Sequence, residues 1–172
     1  MDGFFQPAER DKSLIEIVTA HACRDYFLAE KLFKEYEQSL NIDLGFQDFA
    51  AELKRIRQIY APPRGALLLA MEQNNPAGCA ALRPLEENIC EMKRLYVRPG
   101  FRGQAVGRML AESVMAVARA LGYRRMRLDT LASMTAARGL YASLGFYEID
   151  AYCYNPLPDA VYMECALEAE SN

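Results

Sequence analysis

The chain has 172 residues, a formal net charge of -3, 52% hydrophobic and 25% charged residues. That length suits one domain with its own core; the composition excludes disorder, and the charge leaves no electrostatic footprint for nucleic acid. Five scattered cysteines (Cys23, Cys79, Cys90, Cys153, Cys165) form no CxxC pair, a single histidine offers no metal cluster, and no apolar run nears the roughly 18 residues of a membrane span. A soluble protein of the reducing cytoplasm, without a metal, is the expectation.

Residues 1–12 read as a loose leader and 13–172 as a single domain. "SLIEIVTA" alternates as a first strand, and residues 21–40 turn helical through Phe27, Leu28, Leu32 and Tyr36. "FQDFAAELKRIRQIY" reads as one second helix, ended by the prolines of "APPRG". "ALLLAMEQ" and "CAALRPL", joined by a turn cluster, form a hairpin, and "NICEMKRLYV" is a further strand. "GQAVGRMLAESVMAVARALG" gives the clearest helix, with Val106, Met109, Leu110, Val114, Val117 and Leu121 on one face. "YRRMRLDTL" follows as a strand. "SMTAARGLYASLG" is a helix with Ser133 at its N-cap and Gly145 at its end, and "FYEIDAY" and "VYMECAL" are two last strands. This is a mixed α/β (α+β) domain of six to seven mostly antiparallel strands with about four helices.

The stretch "VRPGFRGQAVGRMLAES" joins a strand to a helix through glycines and arginines. Helix N-terminal amides lack intrahelical partners and carry partial positive charge, so residues 102–108 are suited to an anion. Gly103, Ala105 and Gly107 let a phosphate approach, and Arg102 and Arg108 add charge. The Walker loop needs a terminal Gly-Lys-Ser/Thr, and the dinucleotide fingerprint needs a different glycine spacing. Neither is present.

"RGQAVG" resembles the pyrophosphate loop of the GNAT superfamily of N-acetyltransferases: Gln or Arg, two residues, Gly, one residue, Gly or Ala. Arg102 and Gly107 match, while Ala105 stands where glycine is preferred. "EMKRLYVRPGFRG" is similar to the strand that leads into that loop, and "AARGLYASLGF" to the family's later helix. The resemblance covers residues 89–147 in motif detail. It implies a GNAT fold and acetyl transfer from acetyl-CoA to a primary amine on a small molecule or protein. The cofactor would be held by Leu95, Tyr96 and Val97 along a splayed strand and by Arg102, Gly103, Gln104, Ala105, Val106, Gly107 and Arg108 at the loop. An amide near Leu95 or Tyr96 would face the developing oxyanion. Tyr141 would protonate the departing thiolate, and Glu91 would take the amine's proton directly or through water; an ordinary strand carboxylate is equally compatible with Glu91.

Met134 replaces an asparagine that many members use as a polar contact, with Ser133 or Thr135 as substitutes. The acceptor side falls to residues 36–49 and 152–159, where Tyr152, Tyr154 and Asn155 shape a pocket and Asp43, Asp48 and Asp159 attract an ammonium. Dimerisation is common in that family. The rival reading is a CoA-binding module without turnover, favoured by Met134 and Ala105.

Overall fold

The computed structural model describes residues 14–167; the leader expected over residues 1–12 lies outside the described residues. Seven strands form one sheet: β1 (Ile15–Thr19), β2 (Ala66–Glu72), β3 (Asn75–Pro84), β4 (Ile89–Val97), β5 (Arg125–Leu131), β6 (Tyr147–Ile149) and β7 (Ala160–Ala166). Five α-helices flank it: α1 (Cys23–Leu40), α2 (Phe49–Lys54), α3 (Ile56–Tyr60), α4 (Val106–Ala120) and α5 (Thr135–Ser143). The strand order is β1-β2-β3-β4-β5-β7-β6, antiparallel except between β4 and β5.

Both faces of the sheet are covered, so β2 is apolar from Ala66 to Met71 rather than alternating. Leu68 and Ala70 face a core shared with α4 and α5, whereas Leu67 and Leu69 face a second core under α1, α2 and α3. Each such leucine contributes about 1.5–3 kcal/mol by leaving water. Helix α4 inserts Val106, Leu110, Val114 and Ala118 at helical spacing. Leu121, expected on that face, is instead exposed just past the helix end. In α1 the inward residues are Tyr26, Ala29, Leu32 and Phe33. Phe27 faces outward with the Lys31 ammonium 4.4 Å from its ring centre.

The second helix expected over residues 46–60 is three pieces: a 3-10 turn (Leu44–Gln47), α2 and α3. Asp48 takes a left-handed conformation (φ 54°) and Arg55 a non-helical one (φ -115°), breaking the axis twice. The breaks let Gln47, Phe49 and Glu52 all turn toward the sheet.

Candidate active site

After β4, the 3-10 turn Pro99–Phe101 leads to Arg102, whose amide bonds the Pro99 carbonyl. Gly103 (φ 78°) and Ala105 (φ 60°) then reverse the chain into α4. The first amide to find a helical partner is that of Met109, on the Ala105 carbonyl. Among the described residues, the amides from Gly103 to Arg108 have no partner. This row of unpaired donors at a positive helix end is the geometry that suits an anion. Arg102 anchors the turn through Nε to the Val97 carbonyl (3.1 Å), and Arg108 braces α4 against Ser143 Oγ of α5 (2.7 Å). Gln104 bonds the Gly100 carbonyl and does not line the groove that begins here.

That groove, about 840 Å³, runs from the loop between β4 and α5, past Leu95, Tyr96 and Val97 on one side and Ser133, Met134 and Thr135 on the other. It exists because β4 and β5 pair only from Ile89 to Glu91 and from Arg125 to Arg127, then part. The freed half of β4 leans on β3, where a Cβ on Gly78 would stand 2.5 Å from the Tyr96 carbonyl oxygen. Only glycine allows that approach.

Beside the split, β4 carries a bulge: its register with β3 shifts between Cys79 and Ala81, and Arg94 adopts φ 57°. The unfavourable backbone is held by the Arg94 side chain. Its Nε bonds Glu52 Oε1 of α2 at 3.0 Å, its Nη2 pairs with Glu52 Oε2, and its guanidinium lies over the Phe49 ring. The Tyr60 hydroxyl completes the lock on Glu52 (2.6 Å). Burial pushes the Glu52 carboxyl up, but the hydrogen bond and charge of Arg94 outweigh it and hold the group below its ordinary 4.5.

Tyr141 sits on α5, buried, its ring 5.7 Å from that of Phe146. Its neighbour Leu140 lines the groove; Tyr141 itself belongs to the α4-side core. Burial raises its phenol above the ordinary 10, with the charges of Tyr36 and Asp129 adding to the shift. Tyr36, from α1, borders both the groove and a smaller chamber beyond it, its ring 5.9 Å from that of Tyr96. Met134 also borders both spaces and occupies the N-cap of α5 in place of Ser133, whose hydroxyl bonds Asp159 Oδ2 (3.1 Å).

The chamber adjoins a second, charged cavity, with which it shares Gln47, Lys93, Arg94 and Asp129 and which Arg83, Glu52 and Glu91 also line. Glu91, 1% exposed, accepts from Arg83 Nε (2.6 Å) and the Tyr152 hydroxyl (2.8 Å), with the Lys93 ammonium 3.8 Å away. At the crotch where the strands part, Lys93 bridges to Asp129 Oδ1 of β5 at 3.1 Å. Asp129 Oδ2 accepts from Gln47 and Asn155, each at 3.1 Å. Burial raises the Asp129 carboxyl, but the Lys93 charge and hydrogen bond and the Asn155 contact bring it net below 3.8, so it is ionised.

Of the residues expected on the acceptor side, Asn155 reaches this network and Tyr152 meets Glu91. Asp43, Asp48 and Asp159 do other work: Asp43 caps the Gly45 amide, Asp48 forms the helix break and Asp159 holds Ser133. Lys93, Arg94, Glu52 and Asp129 escape a reading by motif. Their one signal is charge at strand or helix positions that otherwise face a core, such as the lone acid in "RRMRLDTL".

The Acetyltransferase (GNAT) family model matches residues 21–146. An uncharacterised N-acetyltransferase of Schizosaccharomyces pombe is 42% identical over 134 residues, spanning 77% of this chain and 82% of that one. A GNAT-family acetyltransferase of Staphylococcus aureus superposes with a TM-score of 0.76 at 20% identity, covering 90% of this chain and 100% of that one. An acetyltransferase of Salmonella typhimurium, solved with its cofactor acetyl-CoA, gives 0.67 at 18% identity over 93% and 98%. The chain belongs to the GNAT family of acetyl-CoA-dependent N-acetyltransferases.

Proposed function

We propose that this chain moves the acetyl group of acetyl-CoA onto a primary amine by direct attack, the groove holding the donor and the charged chamber the acceptor. The observation that carries this reading is the continuity of the two spaces through Tyr36, Leu40 and Met134, with the unpaired amides of Gly103 to Arg108 at the far end. Those amides, with Arg102 and Arg108, take the pyrophosphate, and the freed edge of β4 at Leu95, Tyr96 and Val97 takes the pantetheine arm. Bound acetyl-CoA supplies the activated thioester.

An amide at Leu95 or Tyr96, aimed by the bulge, stabilises the oxyanion. The amine's proton passes to Asp129 at the crotch, which borders the chamber, or to Glu91 in the adjoining cavity through the Tyr152 hydroxyl or a water. Tyr141, kept protonated by burial, gives its proton to the leaving thiolate. Tyr141→Phe and Asp129→Asn are each expected to lower kcat about a hundredfold while leaving acetyl-CoA binding intact. Calorimetry with acetyl-CoA tests the groove, and thiol release across amines tests turnover. Binding without amine-dependent release would favour a CoA-binding module, which the left-handed Ala105 and apolar Met134 also fit.

A further inference from the structure

The cavity adjoining the chamber, joined to it at Lys93, Arg94 and Asp129, holds a balanced set of charges. Arg83, Lys93 and Arg94 stand against Glu52, Glu91 and Asp129 around one cavity of about 100 Å³. Five of the six are closed on one another: Arg94 on Glu52, Lys93 on Asp129, and Glu91 between Arg83, Lys93 and Tyr152. Arg83 differs. It spends only Nε, on Glu91, and its side chain is 37% exposed at the cavity wall. Among the described residues nothing engages its Nη1 and Nη2. A guanidinium offers its donors as a planar fork that matches a carboxylate in two parallel bonds.

Net charge points the same way. A polyamine or a simple monoamine would bring an uncompensated cation into a site whose carboxylates are already paired, at a desolvation cost nothing offsets. An amine that carries its own carboxylate arrives neutral. Its ammonium approaches Asp129, which borders both the cavity and the chamber, while its carboxylate meets the open fork. The cavity's size admits an amino-acid-sized molecule and excludes bulky polycationic ones.

Resting on the transferase reading above, we infer that the acceptor is a small amino-carboxylic acid, its carboxylate held by Nη1 and Nη2 of Arg83. The test is acetylation of paired acceptors by the full chain with acetyl-CoA: free amino acids, the same compounds as carboxamides, and polyamines, read by thiol release and by mass of the product. Acids are expected to exceed their amides and the polyamines by about tenfold or more in kcat/KM, the worth of a charge-assisted contact. Arg83→Gln and Arg83→Lys should both raise KM for the acid about tenfold with a smaller change in kcat. Lysine keeps a cation beside Glu91 and so guards against a loss of folding, and the acetyl-CoA affinity of both variants should match wild type. Amides or polyamines turned over as well as acids, or an unchanged KM in Arg83→Lys, would overturn the inference and leave the transferase reading standing. No amine turned over while acetyl-CoA binds would overturn both.

Discussion

The Arg94–Glu52 pair makes a prediction that separates stability from catalysis. Its side chains are 2% and 6% exposed, and it clamps a non-glycine residue at φ 57° within the strand that lines the groove. Removing one partner, as in Glu52→Ala, leaves a guanidinium buried without a counter-charge, a loss of about 3–5 kcal/mol. For a chain of this size that lowers Tm by roughly 10 °C. Replacing both, as in Glu52→Leu with Arg94→Met, removes the desolvation cost together with the attraction, so stability should return to within about 2 kcal/mol of wild type. The bulge, however, loses its clamp, and a left-handed conformation costs about 1–2 kcal/mol for any side chain. The double variant should therefore unfold near the wild-type temperature yet transfer acetyl groups at least about tenfold more slowly. Circular dichroism on heating and steady-state thiol release read the two effects separately. Wild-type kcat in the double variant, or a loss below about 1 kcal/mol in Glu52→Ala, would refute the reasoning.

The lowered Glu52 and Asp129 carboxyls bind protons less readily folded than unfolded, so the stability they give is present above their ordinary values of 4.5 and 3.8 and is lost as pH falls below them; acid titration of unfolding should show this, and Glu52→Leu with Arg94→Met should flatten the part due to Glu52. Ala105→Gly should stabilise the chain by about 0.5–1 kcal/mol, since relief of the left-handed strain exceeds the added chain entropy; urea unfolding measures it, and a loss of stability would contradict it. Gly78→Ala should push β4 off β3 at Tyr96 and weaken acetyl-CoA binding measured by calorimetry, whereas unchanged affinity would show the strand yields at no cost. Thiol labelling of the native protein should modify exposed Cys23 first and leave Cys90 and Cys165, whose thiols burial pushes up to about 12, unreacted until unfolding.

What the sequence made legible was local. The turn from Val97 to Arg108, the apolar face of α4 and the "LYASLGF" helix are each encoded within a few consecutive residues, and their periodicity and glycines suffice. Even so, Ala105, where glycine is preferred, takes φ 60°, a backbone that a side chain strains. The broken second helix was not legible, because Asp48 is held left-handed by its place between the 3-10 turn and α2 rather than by a breaker residue. The charged cavity beside the chamber was hidden for a related reason: Glu91 meets Tyr152 across 61 positions and Lys93 meets Asp129 across 36, and no spacing rule reaches that far. A glutamate on a strand reads equally as a base or as an ordinary solvent-facing carboxylate; folded, Glu91 is buried and accepts from Arg83 and Tyr152.

The most direct test of the central claim is mass spectrometry of a reaction holding the protein, acetyl-CoA and a mixture of free amino acids. The expected result is an amine heavier by one acetyl group, formed in step with free thiol and lost in Tyr141→Phe. Acetyl-CoA bound but never consumed in the presence of any amine would contradict it.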